Sequence, residues 1–218
     1  MTDKYSYSSV DNEGINLDIK LDSIINKNNG FFIELGAHDG LFQSNTARFE
    51  FIKNWTGILI EPSFECYIKC VENRKNSICL NFACVDNEYE NEIIFGDFNG
   101  NPMSSVNSKR SNYNISIQVK AITLEKILDK YKKNNIEIDF LSLDTEGYEL
   151  QVLKGLNLKK YRPRFILIEI YNFDFENILN FLKNNNYKLH SNFSNYNNFD
   201  NPKWDGTHND YLFIRIDN

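Results

Sequence analysis

The sequence predicts an α/β fold: a mostly parallel, seven-stranded sheet with an antiparallel closing strand and helices on both faces. Short apolar segments such as GFFIEL, GILIE and RFILIEIY alternate along the chain with amphipathic segments of helical length. Strands that are apolar on both faces belong inside parallel sheets, where helices cover them from both sides. The last two strand segments, YKLHSNF and DYLFIRI, have only a loop between them, which is typical of antiparallel pairing.

The first half of the chain predicts three helices and three strands. Residues 15–27 form the first helix, because their apolar side chains recur at the i, i+4, i+7 and i+8 spacing of one helical face. The strands are GFFIEL, GILIE and SICLNFACV. Helices over 46–54 and 63–74 separate these strands, and Ser63 is the expected N-cap of the second of them.

In the second half of the chain, the regular alternation of predicted strands and helices is interrupted. Residues 96–114 are rich in glycine, asparagine and serine and lie between two short strand segments. They are predicted to form a lid or an insertion loop, with a plain surface loop as the alternative. A helix that starts at Thr123 and the strand EIDFLSLD come next. A short helix that ends at Gly155, the strand RFILIEIY, a helix over 175–184 and the two closing strands complete the fold.

Composition and charge narrow the classes of function. The net charge of −6 and the pI of about 5.2 argue against nucleic acid or an anionic membrane surface as the main partner. The polar start MTDKYSYSSVDNEG does not resemble a secretory signal, and the apolar runs are too short to span a bilayer, so a cytoplasmic protein is expected. A chain of 218 residues suits one domain over 1–218, with 1–29 as an N-terminal helical extension. A homo-oligomer is compatible with these features.

The four cysteines are predicted to be reduced core thiols. Cys66, Cys70, Cys79 and Cys84 fall on a predicted helix and the strand after it. Their C-x3-C and C-x4-C spacings differ from the paired C-x2-C spacing of a zinc site. Reduced thiols agree with a cytosolic location.

Carboxylates lie at or near the carboxyl ends of four of the five predicted parallel strands. Glu34 ends the first strand, Glu61 ends the second, Asp144 and Glu146 follow the fourth, and Glu169 lies within the fifth. Ligands of an open α/β sheet bind beyond the carboxyl ends of its strands. An acidic rim at that edge favours a cationic ligand or a metal ion.

The glycine loop GAHDG after the first strand narrows the choice of ligand. It lacks the middle glycine of the dinucleotide pattern G-x-G-x-x-G, which disfavours a nicotinamide-dependent oxidoreductase. Glu61 ends the next strand, where it can accept hydrogen bonds from ribose hydroxyls, as in nicotinamide and S-adenosylmethionine (SAM) enzymes. The missing glycine and the acidic rim favour SAM, a sulfonium without phosphates. A tight structural turn is the alternative for this loop.

Five segments of the chain resemble a known family. FIELGAHDGLFQSNT, WTGILIEP, LNFACVD, ITLEKIL and IDFLSLDTEGYELQVLKGL occur in the order seen in FkbM-type SAM-dependent methyltransferases. The resemblance covers roughly residues 31–171 and, more loosely, the closing NDYLFI. It implies a Rossmann-like class I methyltransferase fold, SAM as cofactor, and methylation of hydroxyl groups on sugars or polyketides.

The same resemblance implies a set of cofactor-binding residues. Many family members carry lysine two positions before the aspartate of the D-x-E-G element, whereas this chain has Ser142 there. In this element Asp144 and Glu146 would face the active site. The residues implied to bind the cofactor are Glu34, Gly36, Ala37, Asp39, Gly40, Asn45, Thr46, Glu61, Ala83, Cys84 and Asp144.

Methyl transfer to an alcohol also needs a base or a metal ion. Asp144 and Glu146 are candidate catalytic residues, since side chains two apart in an extended strand point to one face. Asp144 and Glu169 are candidate ligands for Mg²⁺, a hard cation that prefers carboxylate oxygens. The alternative is that Glu146 and Glu149 complement the dipole of the helix that follows.

His208 is the third candidate catalytic residue, as the base. Histidine has an unperturbed pKa near neutrality, and His208 lies just before the last strand, in WDGTHND. The alternative for this stretch is a hairpin turn built on Asp205 and Gly206.

These observations predict a SAM-dependent O-methyltransferase that acts on a sugar hydroxyl, in a nucleotide-activated sugar or a surface glycan. The alternative is a non-catalytic, methyltransferase-like interaction domain. The intact glycine loop, Glu61 and Asp144 speak against that alternative, because a degenerate domain usually loses such residues. Protein methylation is open, although nothing in the sequence marks a groove for a peptide.

Overall fold

A seven-stranded sheet forms the centre of the computed structural model, which describes residues 6–89, 91–104, 106, 116–132, 136–202 and 204–217. A second sheet of three short strands lies beside it. In chain order the strands are β1 Phe31–Leu35, β2 Thr56–Ile60, β3 Ile78–Leu80, β4 Ala83–Val85, β5 Ile93–Gly96, β6 Ile117–Thr123, β7 Phe140–Leu143, β8 Phe165–Tyr171, β9 Tyr187–Asn192 and β10 His208–Arg215.

The large sheet has the order β3-β2-β1-β7-β8-β10-β9. The five strands from β3 to β8 run parallel, and β10 runs antiparallel to both of its neighbours, β8 and β9. This confirms the predicted mostly parallel sheet with an antiparallel closing strand. The carboxyl ends of β1, β2 and β7 consequently meet at one edge, where the glycine loop and the D-x-E-G element begin.

Helices cover both faces of this sheet, as the apolar strands predicted. Successive side chains of β1 point to opposite faces: Ile33 packs in the core beneath α4, α5 and α6, and Phe32 packs in the core beneath α1, α2 and α3. No helix in the described part of the chain is both long and apolar enough to cross a membrane. The helices are α1 Leu17–Ile25, α2 Ala47–Lys53, α3 Phe64–Asn73, α4 Leu124–Tyr131, α5 Glu149–Lys154 and α6 Phe175–Asn184.

Asparagines in the left-handed conformation end two of the helices. Asn26 follows α1 with φ of 44°, and Asn54 follows α2 with φ of 56°. Asparagine adopts this conformation more readily than other non-glycine residues, so it stops a helix at low cost. For this reason α1 ends before the predicted limit at residue 27. A helix start is predicted at Thr123; α4 begins one residue later, and Thr123 is its N-cap, whose side chain accepts a hydrogen bond from the Lys126 N–H.

The prediction of one strand over SICLNFACV is wrong. The segment divides into β3 of the large sheet and β4 of the small sheet, whose order is β4-β6-β5. Asn81 lies at the division, and its side-chain amide donates to the carbonyls of Glu61 and Pro62 at 2.9 and 2.8 Å. These bonds hold the chain to the end of β2 and direct it out of the sheet. Of the predicted lid over 96–114, residues 105 and 107–114 lie outside the described residues.

Candidate functional site

Two cavities meet at the carboxyl edge of β1 and β7. The apolar cavity is bounded mainly by hydrocarbon side chains, with Glu61 at its rim. The acidic cavity, of about 360 Å³, lies on the other side of Asp144. Six residues line both cavities, and three of them, Gly36, Asp144 and Glu146, are called the shared wall; the other three are Leu35, His38 and Pro102. The hydrocarbon walls of the apolar cavity come from Leu35, Ile60, Phe82, Ala83, Cys84 and Phe98.

The cofactor-binding residues implied by the sequence fall into three groups around these cavities. One group lines the apolar cavity, one lines the acidic cavity, and one, in the glycine loop and at the N-cap of α2, lines neither. The apolar cavity is lined by Gly36, Glu61, Ala83, Cys84 and Asp144. The acidic cavity is lined by Glu34, Gly36, Asn45 and Asp144. Neither cavity is lined by Ala37, Asp39, Gly40 or Thr46.

The glycine loop passes unusually close to the end of β7. Gly36 has φ of +74°, and a Cβ atom built on it would lie 1.9 Å from the backbone oxygen of Asp144. The Gly36 N–H also donates to the Ile60 carbonyl at 3.1 Å. Only glycine combines this backbone conformation with this approach. The shared wall is therefore built by backbone contact between the loop and the D-x-E-G element.

Asp39 and Glu61 hold the loop in shape through backbone N–H groups. The Glu61 carboxylate accepts from His38 N–H at 2.8 Å and from Ser63 N–H at 2.7 Å. Burial raises the pKa of Glu61 in spite of these bonds. Although burial also acts on Asp39, hydrogen bonds from the N–H groups of Phe42 and Leu41 bring its pKa below the ordinary value.

A buried ion-pair network supports the loop from below. Glu34 accepts from the Ser44 hydroxyl, from the Thr46 hydroxyl at 2.6 Å and from the Asn45 N–H at 3.0 Å. Arg74, whose side chain is fully buried, lies 3.5 Å from Glu34 and 2.9 Å from the Glu50 carboxylate. Sequence reasoning missed Arg74 and Glu50, because a charged residue near a helix end is usually solvated.

Three carboxylates cluster at the shared wall. Asp144, Glu146 and Glu169 each bring an oxygen within 4.8 Å of the others. The Asp144 residue is exposed at the cavities, yet loss of hydration among the surrounding protein atoms, followed by the charges of Glu146 and Glu149, raises its pKa well above the ordinary value. Burial and the charges of Asp144 and Glu146 do the same for the pKa of Glu169. The Tyr171 hydroxyl donates to Glu146 at 2.6 Å and fixes one of its oxygens.

His208 stands opposite this cluster, as the first residue of β10. Its Nε2 lies 3.3 Å from Glu169, and its Nδ1 lies 2.9 Å from the Thr207 hydroxyl oxygen. A bend at Gly206 precedes it. This bend is not the hairpin turn given as the alternative, because β9 ends at Asn192 and a long loop leads from there to β10. Asp210 pairs with Glu169 in the β10–β8 register, and burial raises its pKa to about 6.

Glu149 organises the D-x-E-G element from beneath. Its Oε1 accepts from Thr145 N–H at 2.8 Å, from the Thr145 hydroxyl at 3.0 Å and from Gly147 N–H at 3.1 Å. Burial raises the pKa of Glu149 to about 7. The sequence placed Glu149 only at a helix start, where it can complement the dipole. The structure adds that this carboxylate holds the turn that carries Glu146.

A Glu149→Gln variant is expected to change how stability depends on pH. The pKa of Glu149 is about 7 in the folded protein against an ordinary value of 4.5, so the folded state binds more protons between these values. The contribution of this group to the free energy of unfolding is therefore full below pH 4.5 and is lost as the pH rises through 7, by roughly 3 kcal/mol. The free energy of unfolding, measured with urea across this pH range, should decline less for the variant than for the wild type. If the free energy of unfolding declines equally with pH in the variant and in the wild type, the pKa assigned to Glu149 is wrong.

Comparison with known proteins gives one family match and several structural matches. Residues 34–189 match the family described as "Methyltransferase FkbM domain". No curated protein matches the chain significantly. The METTL16 MTase domain aligns with a TM-score of 0.53 at 11% identity, over 93% of this chain and 67% of that one. The Methanococcus jannaschii fibrillarin pre-rRNA processing protein aligns with a TM-score of 0.50 at 13% identity, over 87% and 67%. These likenesses show the fold, that of class I methyltransferases, as predicted.

Proposed function

The chain belongs to the FkbM methyltransferase family, and from this premise we propose that it transfers a methyl group from SAM to a sugar hydroxyl, in a nucleotide-activated sugar or a surface glycan. The observation that carries the proposal is the shared wall. Gly36, Asp144 and Glu146 separate an apolar cavity that suits a nucleoside from a polar cavity that suits a hydroxylated acceptor. Transfer between two substrates needs such a junction, because the reacting atoms must be aligned.

The residues that line the apolar cavity suit the adenosine part of SAM in their chemistry. Phe82, Ala83 and Cys84 offer hydrocarbon surface for the adenine ring. Each Glu61 oxygen accepts one backbone N–H and keeps a lone pair that can accept from a ribose hydroxyl. When bound, SAM supplies an electrophilic methyl group on a sulfonium. Glycine at position 36 lets the loop approach the end of β7 beside this cavity, since a Cβ atom there would lie 1.9 Å from the Asp144 backbone oxygen.

The acceptor hydroxyl must lose its proton during transfer. We assign this proton to His208, whose Nε2 faces the acidic cavity beside Glu169. Asp144 and Glu146, at the shared wall, orient the hydroxyl. A positioned base of this kind contributes about 10²–10⁴-fold to the rate.

Binding of Mg²⁺ by the carboxylate cluster at the shared wall remains a prediction. Asp144 and Glu169, with Glu146 nearby, bring three carboxylate oxygens within 4.8 Å, and such oxygens are the ligands that Mg²⁺ prefers. If the ion takes part, EDTA lowers methyl transfer and Mg²⁺ restores it. If the carboxylates act without a metal, EDTA leaves the rate unchanged.

Calorimetry with S-adenosylhomocysteine (SAH) tests the proposed cofactor. The wild type is expected to bind SAH, and Glu61→Gln is expected to bind about ten-fold or more weakly, because a hydrogen bond to a charged group contributes about 1.5–3 kcal/mol. Glu72→Gln, on the exposed surface of α3, removes the same charge and should leave the affinity unchanged. A wild type that does not bind SAH would favour the non-catalytic interaction domain.

His208→Gln separates catalysis from cofactor binding. This variant is expected to keep the wild-type affinity for SAH, because His208 lines the acidic cavity and not the apolar one. It should lose about 10²-fold or more of its methyl transfer, measured with labelled SAM and a panel of sugar acceptors. Equal rates for the variant and the wild type would remove His208 from the role of base.

A further inference from the structure

Two of the four free cysteines lie side by side next to the glycine loop. Cys70 is in the last turn of α3, and Cys79 is in β3, at the edge of the large sheet. Their Sγ atoms are 3.4 Å apart, and the Cys70 thiol donates to the Cys79 sulfur. A disulfide holds its two sulfur atoms at about 2.05 Å, so the pair can close after a small approach.

Cys79 is the more reactive member of the pair. It is partly exposed, whereas the other three thiols are buried. The hydrogen bond from Cys70 and the charge of Arg74 bring the pKa of Cys79 below its ordinary value, although burial opposes them. Burial raises the pKa of Cys66 and of Cys84. An accessible thiolate reacts with oxidants, whereas a buried neutral thiol is inert.

The end of α3 also supports the glycine loop. The Asn73 side-chain amide donates to the Asp39 carbonyl at 2.9 Å, and the Arg74 guanidinium donates to the Gly40 carbonyl at 2.8 Å. Gly40 has φ of +81°, and a Cβ atom built there would lie 3.0 Å from the Cys70 Sγ. The backbone of the loop therefore packs against one of the two sulfur atoms that a disulfide would join.

We propose that a peroxide closes a disulfide between Cys70 and Cys79 and that this disulfide weakens cofactor binding. The inference rests on the proposed function, since the affected ligand is SAM. Closure changes the spacing between β3 and the last turn of α3, so the contacts of that turn with the glycine loop change with it. The same loop carries the His38 N–H that donates to Glu61, the residue proposed to bind the ribose. A shift of about 1 Å in supporting residues is enough to impair a site.

The oxidation takes two steps. The Cys79 thiolate attacks one oxygen of hydrogen peroxide, the O–O bond breaks, and a sulfenic acid forms while hydroxide leaves. The Cys70 sulfur then attacks the sulfenic sulfur and gives up its proton. The S–S bond forms, the S–O bond breaks, and the oxygen takes that proton and leaves as water. The peroxide accepts the two electrons that the two cysteines lose.

The wild-type chain tests the proposal in its reduced and oxidised states. The full chain is reduced with dithiothreitol, freed of the reductant and treated with hydrogen peroxide. Peptide mapping by mass spectrometry should find Cys70 joined to Cys79, with the loss of two hydrogen atoms, and Cys66 and Cys84 still as thiols. In calorimetry, the oxidised chain should bind SAH about three-fold or more weakly than the reduced chain. Dithiothreitol should restore the affinity.

Two serine variants separate the disulfide from other effects of the oxidant, and each is compared in its own reduced and oxidised states. Cys79→Ser removes the thiol that reacts with peroxide, so the treatment should leave its affinity for SAH unchanged. Cys66→Ser is the matched control, because it removes a buried thiol of α3 that lies outside the pair. This variant should still form the disulfide and should lose SAH affinity on oxidation as the wild type does.

The outcomes separate this inference from the proposed function. If the reduced wild type does not bind SAH, the proposed function fails, and the effect on the cofactor fails with it. If it binds SAH but peroxide does not join Cys70 to Cys79, or joins them without weakening the affinity, the inference is wrong and the proposed function stands. An equal loss of affinity in oxidised Cys79→Ser would also overturn the inference, because the oxidant would then act at another residue.

Discussion

Replacing Gly36 with alanine is expected to abolish SAH binding and to lower the free energy of unfolding by about 2–4 kcal/mol. The new Cβ would lie 1.9 Å from the Asp144 carbonyl oxygen, and the residue would need φ of +74°. The backbone fixes the position of Cβ, and the Asp144 oxygen is itself a backbone atom, so a side-chain rotation cannot relieve the overlap. The loop must move away from β7, and the shared wall opens. Calorimetry with SAH and urea unfolding measure the two effects.

Gly14→Ala is the matched control for Gly36→Ala. Gly14 has nearly the same backbone conformation, with φ of +80°, but a Cβ there would have no heavy atom within 4 Å. This variant should lose only about 1–2 kcal/mol from backbone strain and should bind SAH like the wild type. If the two variants lose equal stability and both keep SAH affinity, the close approach of Gly36 to Asp144 does not shape the site.

Arg74→Met is expected to lower the free energy of unfolding by about 3–5 kcal/mol, as is usual when one partner of a buried ion pair is removed. The Arg74 side chain is fully buried, and its loss leaves Glu34 and Glu50 without their cation. Glu34 in turn holds Ser44 and Thr46, which directly precede α2. We therefore expect weaker SAH binding as well as lower stability.

Two further variants identify the source of that loss. Lys75→Met changes the adjacent residue, which is exposed, and should alter stability by no more than about 0.5 kcal/mol. The double variant Arg74→Met with Glu50→Gln removes one of the two stranded charges and should be more stable than Arg74→Met alone. Equal effects of Arg74→Met and Lys75→Met would show that the network contributes little.

The fold of the large sheet could be predicted because its strands are apolar on both faces. GFFIEL and RFILIEIY became β1 and β8, and amphipathic spacing placed the helices that cover them. The division of SICLNFACV could not be predicted, because it depends on the Asn81 amide reaching carbonyls at the end of β2. Such a contact joins residues about 20 positions apart and leaves no periodic pattern.

The candidate site shows the same limit. Strand-end position is a local property, so the sequence could place Glu61 and Asp144 at one edge. The partners of a buried charge depend on packing, and for this reason Arg74 behind Glu34 was missed. The hydrogen bonds of Glu149 to its own turn form only when the short α5 helix closes back on it. The sequence identifies acidic residues near the site. It does not distinguish the residues that support the site from the residues that line its cavities.

The position of β10 inside the sheet sets an order of assembly during synthesis. The ribosome releases β8 and β9 first, yet these strands do not pair with each other, because β10 lies between them. β9 therefore lacks a neighbour in the sheet until residues 208–215 have emerged. The apolar cavity uses residues from Leu35 to Tyr148, which emerge much earlier. A nascent chain can thus form the wall of one cavity while the other stays open, and translation must reach His208 and Asp210 before both substrates have a place to meet.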